Sequence, residues 1–260
     1  MNEYVASMVQ GLIQGLTEYL PVSSSAHLTI FQRLAGIAGS SIAFDLLLHL
    51  ATVAATIAYF GRDIVELVCE FFTSFRLPAG RKREGWYFGW AVIFGSIPTA
   101  VLGLALKPLV ETLSQSMTFV GCALCMTGGL LFALSFLCPG TRKICVSIGL
   151  IVGVAQGLAV FPGVSRSGLT LLAGILCGLS AAEAFRFSLL LSLPAVCGAA
   201  LLELRHFDGM LPAGWAAAMA LAFLAGIISL CLVHRAVVGG RWRIFAVYCV
   251  AVGLAVIFFL

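Results

Sequence analysis

The chain has 260 residues, of which 61% are hydrophobic and 10% are charged, and its formal net charge is +4. A soluble domain carries about 25% charged residues, so this composition excludes a soluble globular protein and indicates an integral membrane protein. No Lys/Arg-rich tail points to nucleic acid as a partner. The residues after Met1 lack a basic segment followed by a small-residue cleavage site, so we predict no removable signal peptide.

The first apolar stretch, residues 4–34, is interrupted in its middle by Pro21 and a run of serines at 23–25. Proline disrupts a helix, and serine is a good N-cap for a new one. The pattern therefore predicts two half-helices of about 15 residues, each shorter than the ~20 residues that span a bilayer. We interpret the stretch as a re-entrant hairpin, whose irregular backbone must be buried in protein or line a wet cavity.

The rest of the chain alternates apolar windows with polar connections. A second broken stretch, residues 145–177, contains Pro162 in its middle. Six windows are long enough, or nearly so, to span a bilayer as helices: 41–60, 86–106, 116–137, 186–203, 213–234 and 243–260. The order predicts an all-α integral membrane fold with six transmembrane helices plus two re-entrant helical hairpins.

The two broken stretches also share a motif. Gln14-Gly-Leu recurs as Gln156-Gly-Leu, and Ser23-x-Ser25 recurs as Ser165-x-Ser167, both at an offset of 142 residues. One membrane domain, 1–260, then consists of a first repeat, 1–137, and a second, 145–260. Each repeat has one hairpin and three spans, an odd number, so we predict an inverted-topology repeat whose site lies where the broken segments meet.

Positive charges predict the orientation. One side carries eleven Lys/Arg residues: Arg62, Arg76, Arg81, Lys82, Arg83, Arg142, Lys143, Arg186, Arg235, Arg241 and Arg243. The other side carries three, Arg33, Lys107 and Arg205. The positive-inside rule makes the first side cytoplasmic, so both termini are predicted outside. Counting either hairpin as two full spans leaves this orientation unchanged.

Chemistry-bearing residues cluster in the first hairpin. Gln14 and Glu18 are four residues apart and share one helix face, and Ser24, Ser25 and His27 follow the break. We expect Glu18, the serines and His27 to converge at the bend. An ionisable residue at membrane depth indicates a functional site. The alternative is that Glu18 lies at the water interface and only caps structure.

The second hairpin supplies features of an anion site. Ser165, Arg166 and Ser167 stand at a predicted helix start, where free backbone N–H groups and the helix dipole favour an anion. The guanidinium of Arg166 adds a planar fork suited to phosphate. The alternative is an arginine that snorkels to the interface.

Together the two helix starts predict a site of diphosphate size. Glu18 would repel that anion unless a divalent cation, Mg²⁺ or Ca²⁺, bound to both. A serine with a nearby base could form a phosphoserine, or a metal-polarised water could attack directly. Asp45 and His49, four residues apart in the first span, are expected to lie behind His27 or Glu18, although a structural hydrogen-bonded pair is an equal alternative.

These motifs resemble a known family. Residues 14–27 resemble the (Glu/Gln)-x-x-x-Glu motif and the following Pro-Val-Ser-Ser segment of the undecaprenyl-diphosphate phosphatase, or bacitracin-resistance protein, family. Residues 162–170 are similar to its Pro-Gly-x-Ser-Arg-Ser-x-x-Thr motif, and residues 44–50 to its first-span signature. The agreement in spacing and length extends along essentially the whole chain.

The resemblance implies a bacterial inner-membrane enzyme that removes the terminal phosphate of undecaprenyl diphosphate, recycles the carrier lipid for cell-wall synthesis and confers bacitracin resistance. It also implies a divalent cation and the six-span fold with two inverted hairpins. The catalytic candidates that it implies are Glu18, Ser24, His27 and Arg166. Glu18 is also the implied metal ligand. The substrate-binding candidates are Gln14, Ser23, Ser25, Ser165, Ser167 and Thr170.

One position departs from the common pattern of the family. Many members carry glutamate where this chain has Gln14. An amide cannot act as a base, so Glu18 is the only carboxylate of that motif, which argues against a metal site with two of its carboxylates.

Two other functions compete with the enzyme. The first is a transporter or flippase of polyprenyl phosphate or small anions, because inverted repeats with broken helices are also transporter architecture. The second, a structural membrane subunit, leaves Glu18, His27 and Arg166 unexplained. The partners expected for the enzyme are the polyprenyl diphosphate and the bilayer, and a homodimer is left open.

Overall fold

The computed structural model describes residues 2–37, 41–204 and 212–260. In these ranges the chain forms ten α-helices and no strand, apart from one short 3₁₀ turn at Ala79–Arg81. The helices are α1 Glu3–Thr17, α2 Ser24–Leu34, α3 Ile42–Ser74, α4 Glu84–Leu113, α5 Met117–Leu134, α6 Val146–Leu158, α7 Arg166–Leu176, α8 Ala181–Leu204, α9 Ala213–Val238 and α10 Trp242–Phe259. Arg205, counted above in the charge pattern, lies outside the described residues.

Six helices are long and apolar enough to cross a membrane: α3, α4, α5, α8, α9 and α10. They fall at the six predicted windows, so the all-α, multi-pass membrane fold is confirmed. The other four helices, α1, α2, α6 and α7, have 15, 11, 13 and 11 residues. At 1.5 Å per residue they are about 16–22 Å long, which is shorter than the ~30 Å hydrocarbon core.

The extent of α3 corrects one expectation. We predicted a span at 41–60 and a charged connection at 61–85, but α3 continues to Ser74. Residues 62–77 contain no proline or glycine, so nothing in the backbone stops the helix before Pro78. The 33-residue helix is about 50 Å long, so its charged end extends beyond the hydrocarbon core.

An ion cluster joins three of the long helices near that end. Arg186 of α8 pairs with Asp63 of α3, and its Nη1 lies 2.6 Å from Glu84 of α4 and 3.3 Å from Glu183. The same guanidinium lies over the Phe88 ring. The cluster ties together α3, α4 and α8, three of the helices that contribute walls to the cavity described below.

Two of the short helices pack closely on spans from the other half of the chain. Helix α1 packs on α9, and α6 packs on α4. A Cβ atom on Gly11 would lie 2.1 Å from the carbonyl oxygen of Ala218, and one on Gly153 would lie 2.0 Å from that of Gly95. Such backbone approach is possible only at glycine. Gly11 and Gly153 are 142 residues apart, the same offset as the repeated motif.

Several helix pairs follow a common pattern. If α1–α5 are matched with α6–α10, the pair α1/α9 corresponds to α6/α4, and α3/α9 corresponds to α8/α4. Two further pairs, α5/α10 and α3/α8, join each helix to its own counterpart. These packing pairs are therefore preserved when the two halves are exchanged.

Candidate active site

The two chain breaks lie against each other. The backbone N–H of Gly163 donates to Ser23 Oγ at 3.0 Å, and Ser167 Oγ donates to the carbonyl oxygen of Leu20 at 3.1 Å. On the other side of the second break, Thr127 Oγ1 of α5 donates to the carbonyl oxygen of Gly163 at 2.7 Å. The turn that links α1 to α2 and the turn that links α6 to α7 are thus held together directly.

Serine plays different roles at the two helix starts. Ser165 caps α7, because its Oγ accepts from the backbone N–H of Gly168 at 3.2 Å, as predicted. Ser23 precedes α2, but its side chain makes no capping bond, so the capping interpretation was wrong there. Its hydroxyl instead accepts from Gly163, and its φ of 65° is a left-handed conformation that costs on the order of 1–3 kcal/mol in a non-glycine residue.

Glu18 is the centre of a buried polar cluster. It ends α1, and only 7% of the residue is exposed. Its Oε2 accepts from Ser24 Oγ at 2.7 Å and from Gln14 Nε2 at 2.9 Å. Its Oε1 pairs with the Nη2 of Arg166. The carboxylate therefore links α1, the first residue of α2 and the first residue of α7.

Of the two terminal nitrogens of the Arg166 guanidinium, one forms an ion pair and the other has no partner among the described residues. Nη2 holds Glu18, whereas Nη1 is buried and makes no hydrogen bond with any described residue. The guanidinium stands at the N-terminus of α7, where the helix dipole is positive. A phosphoryl oxygen beside Nη1 would receive a charge-assisted hydrogen bond in a site suited to anions.

The structure brings His49 to Glu18 and holds His27 elsewhere. His49 Nδ1 lies 3.3 Å from Glu18 Oε2 and 2.9 Å from Gln14 Nε2.

His27 Nδ1 donates to the carbonyl oxygen of Ser23 at 2.8 Å, and its Nε2 lies 2.7 Å from Tyr248 Oη, with the rings stacked. A carbonyl only accepts, so the neutral ring carries its proton on Nδ1 and both nitrogens are used.

The remaining candidates, Ser25, Thr170 and Asp45, lie at three different places around the site. Ser25 lies beside the break, with its Oγ 3.2 Å from Ser23 Oγ. Thr170 is fully buried, donates to the carbonyl oxygen of Arg166 at 2.8 Å and lies 2.5 Å from Ser188 Oγ, so it supports α7 from behind. Asp45 lies one helical turn before His49 on α3.

A cavity of about 820 Å³ opens at this cluster. Its polar end includes side chains from both breaks: Glu18, Ser23, Ser24, Ser25, His49, Ser165, Arg166 and Ser167. A second polar group, with Gln156 and Thr99, lines it further along. The arrangement combines a carboxylate, a hydroxyl bonded to it and an arginine, which are groups suited to phosphoryl transfer.

The donor set can be compared with the needs of a divalent cation. The described residues contain no group of three or more His, Cys, Asp or Glu side chains that could hold a metal. Gln14 Oε1, however, is a buried oxygen without a hydrogen-bond partner in the described part of the chain, next to the Glu18 carboxylate. One carboxylate and one amide oxygen fit a cation such as Mg²⁺ that takes most of its ligands from substrate phosphates and water.

Comparison with known proteins gives the family. The family model for "Bacitracin resistance protein BacA" matches residues 7–255. The chain belongs to the BacA family. It is 36% identical to an "Undecaprenyl-diphosphatase" of Methanosphaera stadtmanae, over 99% of this chain and 98% of that protein.

Other relatives match to a similar extent. An "Undecaprenyl-diphosphatase" of Desulforapulum autotrophicum is 38% identical over 97% of this chain and 96% of its own length. An "Undecaprenyl-diphosphatase 1" of Shouchella clausii is 34% identical over 97% of this chain and 95% of its own length. The resemblance that the motifs indicated thus extends over nearly the whole of this chain.

Sequence reasoning missed one feature of the site and left the placement of another open. Thr127 lies inside an apolar span with no surrounding motif, so nothing in the sequence indicates that it holds the second break. His49 was expected behind His27 or Glu18, or in a structural pair with Asp45, and it contacts Glu18 and lines the cavity. The available signal was its spacing from Asp45, which places both on one face of α3 but does not say which face meets the hairpins.

Proposed function

We propose that this BacA-family chain hydrolyses undecaprenyl diphosphate to undecaprenyl phosphate and inorganic phosphate. The names of its full-length relatives support this reaction. The observation that carries the proposal is the pairing of Arg166 with the Glu18–Ser24 unit, which leaves Nη1 for a phosphoryl oxygen. The product is the carrier lipid for cell-wall polymers, and its recycling would confer resistance to bacitracin.

The proposed mechanism begins with the Ser24 hydroxyl. Its Oγ attacks the terminal phosphorus while its proton passes to Glu18 Oε2, which already accepts that hydrogen bond at 2.7 Å. The bond from phosphorus to the bridging oxygen breaks, and undecaprenyl phosphate leaves with the electron pair. Water then attacks the phosphorus of the phosphoserine, and the bond from phosphorus to Ser24 Oγ breaks. Ser24 Oγ takes back the proton held by Glu18, the proton of the water passes to His49, and phosphate is released.

Arg166 stabilises the charge that develops on the transferring group, because its Nη1 points at no other partner in the described structure. Gln14 orients both Glu18 and His49 through its amide nitrogen. Mg²⁺ or Ca²⁺ held by Glu18 and Gln14 Oε1 would supply neutralisation of the diphosphate charge.

The proposal includes the arrangement in the membrane. Helices α1/α2 and α6/α7 form two re-entrant hairpins, which their short lengths support. The repeats 1–137 and 145–260 form an inverted pair, which the packing pairs preserved between the halves support. The excess of positive charge on one side supports a cytoplasmic location for that side. We assign the chain to a bacterial inner membrane, with both termini outside.

Phosphate release tests the proposed function. We expect purified protein in detergent with Mg²⁺ to release phosphate from undecaprenyl diphosphate, and a chelator to abolish this release. Arg166→Ala should lower turnover by about 10²–10³-fold, whereas Arg243→Ala, on an exposed arginine of α10, should not change it. A protein that releases no phosphate, yet moves lipid phosphate across liposomes, would establish the transporter alternative instead.

A matched pair of variants tests which histidine handles protons. We infer that His49 serves this role, because it contacts Glu18 and lines the cavity while both nitrogens of His27 are used. His49→Gln should lower kcat by about 10²-fold and flatten the pH profile of kcat. His27→Gln should affect stability more than the shape of that profile. A profile that changes only with His27→Gln would reverse the assignment.

A further inference from the structure

The cavity continues past its polar end into an apolar branch between α4 and α8. Gly103 and Leu104 of α4 line it on one side, and Gly198, Leu201 and Leu202 of α8 line it on the other. The three leucines are 63%, 67% and 52% exposed, although they line a cavity. The branch is therefore open at its side, and in a membrane-spanning chain that side faces hydrocarbon.

Two glycines widen this branch without serving helix packing. A glycine inside a helix lowers helix stability by about 1 kcal/mol relative to alanine. Close helix packing accounts for other helical glycines of this chain, such as Gly95, where an added Cβ would lie 2.6 Å from the carbonyl oxygen of Gly149. At Gly103 the nearest atom to an added Cβ is 3.9 Å away, and at Gly198 nothing lies within 4 Å. The space left by these two glycines belongs to the cavity.

A buried polar residue, Gln156, also lines the cavity. Gln156 is 4% exposed, and its Nε2 is placed to donate to Thr99 Oγ1 at 3.3 Å and to the carbonyl oxygen of Leu191 at 3.4 Å. Its Oε1 lacks a partner in the described chain. A buried acceptor needs a donor, so the cavity at this point must hold water or a protonated ligand oxygen.

We propose that the polyprenyl chain of the substrate lies between α4 and α8, over Gly103 and Gly198, and passes sideways from there into the bilayer. This inference rests on the proposed function, which places the diphosphate at Glu18 and Arg166 and so fixes where the chain begins. The same cavity joins that polar end to the apolar branch. Its walls between these helices carry leucines and glycines that suit a methyl-branched hydrocarbon, and Lys107, one turn beyond Gly103 on α4, also lines the cavity.

A variant that fills the branch tests the proposal through chain-length selectivity. Gly198→Leu should lower the ratio of kcat/KM for undecaprenyl diphosphate to kcat/KM for isopentenyl diphosphate by about tenfold. Gly61→Leu is the matched control, because Gly61 is also a helical glycine with nothing within 4 Å, but it lies outside this cavity. An unchanged ratio in Gly198→Leu would overturn the proposal. Failure of the wild type to release phosphate from either substrate would refute the proposed function itself.

Photolabelling tests the location without any substitution. A polyprenyl diphosphate analogue with a diazirine in its first isoprene units should label peptides of α4 and α8 around Gly103 and Gly198. The competing location is an apolar groove of about 470 Å³ between α5 and α10, lined by residues such as Gly128 and Val250. Labelling confined to that groove would place the chain there and refute the α4/α8 path.

Discussion

Replacement of Glu18 by glutamine should lower phosphate release by about 10³–10⁴-fold while leaving the protein folded. The amide oxygen can still accept from Arg166, and the amide NH2 can donate to Ser24 Oγ, but neither group can take the serine proton. The change also removes the carboxylate that a cation would use. Turnover of undecaprenyl diphosphate and the thermal unfolding midpoint of the detergent-solubilised protein are the two measurements.

Glu111→Gln provides the control for this result. Glu111 is an exposed carboxylate near the end of α4, outside the residues that line the cavity. It should retain wild-type turnover and unfolding. If Glu18→Gln kept more than about a tenth of the wild-type rate, Glu18 could not be the base, since general-base catalysis contributes about 10²–10⁴-fold.

Removal of the Ser24 hydroxyl should have an effect at least as large. In the proposed mechanism Ser24→Ala eliminates the nucleophile, so kcat should fall on the order of 10⁴-fold or more. Rapid quenching of the wild type with terminally labelled substrate should also place the label on Ser24. The measurements are phosphate release and mass spectrometry of the quenched protein.

The control and the opposing result are equally specific. Ser7→Ala removes a helical hydroxyl of α1 that donates to the carbonyl oxygen of Glu3 and does not line the cavity, so it should be silent. If Ser24→Ala retained wild-type turnover, attack by water would replace the serine mechanism. Rapid quenching would then leave no labelled phosphate on the protein.

The sequence predicted the elements whose signals are local. Apolar length predicted all six spans, and proline followed by serine predicted both breaks. The cap of α7 by Ser165 follows from a backbone rule that needs no tertiary context, whereas the backbone just before α2 accompanies a contact between Ser23 and Gly163 of the other hairpin. The length of α3 was underestimated because a drop in hydropathy marks the edge of the membrane but does not end a helix.

The geometry of the site depends on long-range packing, which a single sequence does not encode in a readable pattern. Glu18 and Arg166 are 148 residues apart, and their pairing requires the two hairpins to meet. The repeat predicted that meeting. It left open whether His49 would lie behind His27 or Glu18, and it did not predict that His27 would bind Tyr248 of α10. Such choices depend on which helix face packs inward.

The docking of α1 on α9 has a consequence for biosynthesis. Gly11 matches a surface on α9, around Ala218, that lies more than 200 residues later in the chain. When the first half leaves the ribosome, α1 has no such surface to pack against, and the turn that carries Glu18 lacks its partner turn. The cluster around Glu18 and Arg166 is therefore expected to be complete only after α9 enters the membrane. A chain truncated before α9 should lack activity, so activity should appear during synthesis only when nearly the whole polypeptide has been inserted.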